Sequence, residues 1–93
     1  MRTLRISLSN TYPVSREICF TENEERFVIT SDDIVDRPLL LSFKNKSGKV
    51  FKELLDSEDF GEEILLEESH TFLVVGKGNN SFEKSKNLTI NIY

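Results

Sequence analysis

The sequence has one cysteine, Cys19, two prolines, four glycines and no tryptophan. A lone cysteine excludes an intramolecular disulfide, and with it the small secreted domain stapled by disulfides. With so few prolines and glycines there is no low-complexity run and no linker. No stretch approaches the ~20 apolar residues of a membrane-crossing helix. Met1-Arg2-Thr3-Leu4 leads into alternating residues rather than the apolar run of a secretory signal, so cytoplasmic synthesis is the default localisation. A basic excess is also missing. Twelve Lys/Arg stand against sixteen Asp/Glu, for a net charge of −4. That balance argues against a nucleic-acid clamp and a membrane-surface helix as partner-binding modes.

What the sequence does have is alternation. Its 93 residues are enough for one domain, spanning 1–93, and not for two cores. Hydrophobic residues make up 38% and charged residues 30%, the mixture of a soluble globular chain. Leu4, Ile6 and Leu8 alternate with polar neighbours, as do Leu88, Ile90 and Ile92 at the far end. Period-2 patterning of this kind marks a strand with one buried face. Phe27 and Ile29, Ile64 and Leu66, and Phe72 and Val74 repeat it, and Val14, Ile18 and Phe20 are placed on one face of a second strand. Leu39 to Phe43 is an apolar run of strand length, with Phe43 expected in the core. Asn45-Lys46-Ser47-Gly48 then supplies hairpin turn chemistry before Val50-Phe51. Ser31 could cap one helical turn before Pro38, and residues 52–59 fit either a continued strand or a short helical turn.

Seven or eight short strands at intervals of about 8–12 residues point to an all-β fold, a small antiparallel β-sandwich. The general look is immunoglobulin-like or jelly-roll-like. The Trp and the Cys pair that mark true immunoglobulin domains are absent, so the resemblance is one of architecture and carries no function.

The acidity is concentrated. Residues 1–52 hold nine Lys/Arg and seven Asp/Glu, whereas residues 53–76 hold eight Asp/Glu and no Lys or Arg. The acids are Glu53, Asp56, Glu58, Asp59, Glu62, Glu63, Glu67 and Glu68. A solvated edge that resists sheet-edge aggregation would use such charges. A patch facing a basic protein partner would use them too, and would raise the association rate in a salt-sensitive way. Asp56, Glu58, Asp59, Glu62, Glu63, Glu67 and Glu68 are therefore the candidate partner-binding residues.

Asp56 to Glu67 imitates a calcium loop, with acids at positions 1, 3 and 12 and Gly at 6. Phe60 stands at position 5 where an oxygen ligand belongs, and Glu63 at the normally apolar position 8. Neither this loop nor the separated Cys19 and His70 makes a metal set, so no metal or cofactor is expected. Ser69-His70 would point to opposite faces of a strand and cannot pair for hydrolysis. Cys19, in an apolar strand context, reads as a small buried hydrophobe rather than a nucleophile. Gly76-Lys77-Gly78 lacks the Lys-Ser/Thr and helix of a phosphate loop. Lys44, Lys46, Lys49 and Lys52 around the hairpin are the best basic patch, weak for nucleic acid on an acidic chain. The Asn-x-Ser/Thr triplets at Asn45, Asn79 and Asn87 matter only in a secreted chain.

These readings converge on a non-enzymatic structural or protein-interaction module. It would be a subunit or appendage domain of a larger assembly such as a virion, adhesin or scaffold, as a homo-oligomer or hetero-assembly. The alternative is a small acidic inhibitor or immunity-type protein that blocks a basic site on an enzyme through residues 53–68.

Overall fold

The computed structural model describes residues 1–35, 37–67, 71–78 and 84–93. Its strands are β1 (Arg2–Leu8), β2 (Ile18–Cys19), β3 (Arg26–Ser31), β4 (Leu39–Lys44), β5 (Val50–Leu55), β6 (Glu63–Leu65), β7 (Phe72–Gly76) and β8 (Lys86–Ile92). They form two four-stranded antiparallel sheets, β1-β8-β3-β6 and β2-β7-β4-β5. The chain is a β-sandwich, as the alternation requires. β1 pairs with β8, β2 with β7, β3 with β6 and β4 with β5. A chain folded back on itself in this way and wrapped across two sheets is a jelly-roll winding. An immunoglobulin-like order would place β1 and β2 in one sheet, whereas here they lie in opposite sheets.

The core lies between the sheets and is built from one face of each strand. Leu8, Leu88, Ile90, Ile92, Phe27 and Ile29 come from the first sheet. Ile18, Leu73, Val75, Leu39, Leu41, Phe43 and Leu55 come from the second. Phe43 is fully buried, with its ring centroid 6.1 Å from that of Phe27 across the sandwich. The hairpin between β4 and β5 forms as its residues dictate. Asn45 Oδ1 accepts the backbone N–H groups of Ser47 and Lys49 at 3.0 and 2.9 Å, and Gly48 takes the left-handed φ of +89° that closes the turn.

Four expectations change. Residues 14–20 do not form one continuous strand. Val14 bridges Gly76, while Ile18 pairs with Leu73, so the first side holds one residue more than its partner. That is a β-bulge, and it reverses the side-chain phase. Val14 turns outward, 58% exposed, and Ile18 turns in. Cys19 follows Ile18 and is exposed, not a buried hydrophobe, because adjacent strand residues face opposite ways. In β7 it is Leu73 and Val75 that enter the core, leaving Phe72 and Val74 on the outer face. Ser31 caps no helix. Its hydroxyl donates to the Asn87 carbonyl at 2.8 Å and accepts the Asp33 N–H at 3.1 Å. Residues 52–59 take both forms offered for them, strand to Leu55 and then a 3₁₀ turn over Ser57–Asp59.

Candidate functional site

β5 and β6 are the outermost strands of the two facing sheets, and the chain between them crosses the flank of the sandwich. The acidic segment makes that flank. Glu53 shares the inward phase of β5, opposite Leu41, but at a sheet edge its carboxylate reaches the opening between the sheets. Asp59, Glu62 and Glu63 line the same cleft of about 220 Å³ over Leu41 and Ile64. Asp56 and Glu58 are exposed on the adjoining 3₁₀ turn. An inward-pointing edge charge also blocks addition of a further strand.

These acids have different local duties. Asp59 carboxylate accepts the Asp56 N–H at 2.9 Å and the Asp59 N–H donates to the Asp56 carbonyl at 2.9 Å, closing the turn. Gly61 follows at φ +86° and donates its N–H to the Ile29 carbonyl, which joins the turn to β3. Glu63 Oε1 lies 3.3 Å from Arg26 Nε, and that guanidinium sits 5.4 Å over the Tyr93 ring. Among the described residues, Glu58 and Glu62 have no ion-pair partner.

Glu67 belongs elsewhere. It sits beyond the other end of β6, in a cleft of about 390 Å³ with Glu22, Glu24, Glu25 and Lys46. The structure therefore divides the sequence cluster, with Asp56 to Glu63 on the flank and Glu67 among the acids of the β2–β3 turn. Glu68 lies outside the described residues, as do Ser69, His70, Asn79 and Asn80. Glu22, Glu24 and Glu25 were hidden in the sequence by the arginines around them. The calcium-like spacing is interrupted by pairing, since Glu63, Ile64 and Leu65 lie in a strand against β3. Among the described residues no group of three or more His, Cys, Asp or Glu could hold a metal ion. None of the described helical segments is long and apolar enough to cross a membrane.

The hairpin lysines do not make one patch. Lys44 Nζ pairs with Glu17 at 3.5 Å and lies 5.3 Å over Phe72, and Lys49 lies 5.1 Å over Phe51. Lys46 joins the Glu67 cleft, and Lys52 is exposed on the outer face of β5.

Two surfaces escaped the sequence reading. Opposite the acidic flank, β1 and the β2 segment bound an open groove of about 630 Å³, where Arg5 and Arg16 border Leu4, Ile6 and Val14. The other surface is a difference between the two outer faces. The β1-β8-β3-β6 sheet turns Thr3, Arg5, Ser7, Asn87, Thr89 and Asn91 outward, with Val28 and the exposed Leu65 at its β6 side as apolar exceptions. The β2-β7-β4-β5 sheet turns out Leu40, Val50, Leu54, Phe72 and Val74, joined by Val14. Leu54 is 65% and Val50 50% exposed. Register places Leu40 between Leu54 and Gly76, and Ser42 between Lys52 and Val74. Polar outward residues are the usual solvent face of an antiparallel sheet, whereas contiguous apolar ones mark an interaction surface. The signal was present in the run Leu39-Leu40-Leu41, where no polar residue alternates, and in the outward partner Leu54. Comparison with protein families, curated proteins and solved structures finds no match for this chain.

Proposed function

We propose that the chain is a non-enzymatic protein-interaction module, a structural subunit of a larger assembly. The observation that carries this reading is the largely apolar outer face of the β2-β7-β4-β5 sheet, set against the polar face that β1 and β8 give the other sheet. Burying Leu54, Val50, Val14 and their half-buried neighbours against a partner would contribute about 25 cal/mol for each Å² of apolar surface removed from water. The acidic flank adjoins this face through β5 and supplies the charged rim that sets orientation and partner choice.

The test is affinity capture from the native source with three baits: wild type, Leu54→Asp on the apolar face and Thr89→Glu on the polar face. A structural module loses its partners with Leu54→Asp and keeps them with Thr89→Glu. Equal capture by all three baits would remove the apolar face from the proposal.

The inhibitor reading has its own support. Glu53, Asp59, Glu62 and Glu63 rim a cleft with an apolar floor, a shape that accepts the stem and head of a lysine or arginine. Reversing Glu58, Glu62 and Glu63 to lysine would abolish binding of a basic enzyme and its salt dependence. Unchanged binding would end that reading.

A further inference from the structure

We propose that the occupant of the apolar sheet face is a second copy of this chain, docked face to face about a twofold axis parallel to the strands. This inference rests on the assembly reading and names the partner it leaves open.

The argument is charge complementarity. The exposed charges of the face and its β2 rim are Lys52 on β5 and, beside β2, Glu17, which pairs with Lys44 of the face, and Arg16, which lines the groove toward β1. Among the described residues Lys52 has no ion-pair partner. A twofold axis along the strands lays β5 of one copy over β2 of the other. Lys52 then meets Glu17 of the second copy, twice by symmetry, because a twofold interface is self-complementary. The same rotation sets Leu54 over Val14 and Val50 over the Cys19 end of β2. It also brings each acidic flank to the side where its mate carries Arg5 and Arg16. A twofold axis across the strands would instead oppose Lys52 to Lys52 and one acidic flank to the other. Like charges so placed disfavour that arrangement.

Size sets the strength. Four strands at a spacing of about 4.8 Å, with β4 and β5 of six residues, β7 of five and a two-residue β2 extended by the Val14 bridge, make a face about 20 Å on a side. With its rims, such a contact buries on the order of 1,000 Å² in total, the low end for a specific interface. The dimer is therefore concentration-dependent rather than obligate.

Sedimentation equilibrium of the full chain, from about 5 µM to about 1 mM, brackets the affinities of interfaces this small. The mass should rise from 10.8 kDa toward twice that value. Lys52→Glu should weaken the dimer about fivefold or more, and Lys52→Glu combined with Glu17→Lys should restore it. Leu54→Asp should weaken it at least about tenfold by burying a carboxylate in an apolar contact. Thr89→Glu on the polar face should leave it unchanged. A monomer across the whole range overturns the proposal, as does a dimer indifferent to Leu54→Asp or a charge swap that fails to rescue. The assembly reading is judged separately. If the chain is monomeric while Leu54→Asp still loses captured partners, the second copy is wrong and the module stands.

Discussion

Ser15 and Val75 exchange two hydrogen bonds by an irregular route. The Ser15 N–H donates to the Val75 carbonyl at 2.7 Å, and Ser15 Oγ, not its carbonyl, accepts the Val75 N–H at 2.9 Å. The hydroxyl thus completes the ladder at the point where the bulge would leave a donor open. The residues after it shift phase relative to Val14, so that Val14 and Cys19 share the outer face while Ile18 turns in.

Ser15→Ala should therefore cost about 1–3 kcal/mol, since it strands the part-buried Val75 N–H. Urea unfolding followed by circular dichroism measures it, with Ser15→Thr, which keeps the hydroxyl, retaining most of the stability. An Ala variant as stable as wild type would mean water satisfies Val75 at no cost.

Two phenylalanines separate core from face. Phe43 is fully buried and Phe72 is half-buried beneath Lys44 on the outer sheet surface. Phe43→Ala should cost about 3–5 kcal/mol, lost transfer energy plus a cavity. Phe72→Ala should cost less than about 1.5 kcal/mol, because its site is open on one side. Comparable losses in denaturant midpoint would contradict the assignment of Phe72 to the surface.

The contrast shows what alternation can and cannot reveal. Leu4-Ile6-Leu8 and Leu88-Ile90-Ile92 were legible because each apolar residue is followed by a polar one, which leaves a single choice of inward face. Phe72-Leu73-Val74-Val75 offers two apolar phases, and the pairing of Leu73 with Phe43 and Ile18 decides between them. Pattern alone also cannot register a bulge, whose cause is one added residue measured against a distant partner strand. The acidic segment was visible as composition. Its division, with Glu67 joining Glu22, Glu24 and Glu25, follows from β6 running the length between the two clefts.

Glu24 is the fixed acid of that second group. Its carboxylate accepts Arg2 Nη2 at 2.9 Å, Arg2 Nε at 3.2 Å and the Thr21 N–H at 2.9 Å. The Glu24 side chain is only 13% exposed, so this pair is better shielded than an ordinary surface bridge. Arg2 also donates to the Cys19 carbonyl at 2.8 Å, tying β1 to β2 across the sheets. Glu24→Gln should cost about 1–2 kcal/mol by losing charge-assisted bonds. Hydrogen exchange should speed up at Thr21 and at the start of β1. Exchange unchanged there would mean the tie is not what holds this end closed.

Cys19 gives a chemical readout of the same edge. An exposed thiol on the outer side of β2 should react with a maleimide in the native protein at nearly its rate in denaturant. A buried one would wait for unfolding. Slow native labelling at high dilution would return Cys19 to the interior and contradict the bulge register.

The flank acids invert the usual expectation for charge and stability. Glu58 and Glu62 are exposed and, among the described residues, have no ion-pair partner, while Asp56, Asp59 and Glu63 crowd the same short stretch. Mutual repulsion should make the double variant Glu58→Gln, Glu62→Gln slightly more stable than wild type, by about 0.5 kcal/mol at low salt. Near 1 M salt, where the screening length is about 3 Å, the gain should vanish. Asp59 is excluded from this set because its carboxylate closes the 3₁₀ turn, and Asp59→Asn should lose stability instead. Thermal melts at two salt concentrations measure both effects. A gain that persists in high salt would place its origin in something other than charge. A loss would show that Glu58 and Glu62 support the fold, and would remove them from the residues held for a partner.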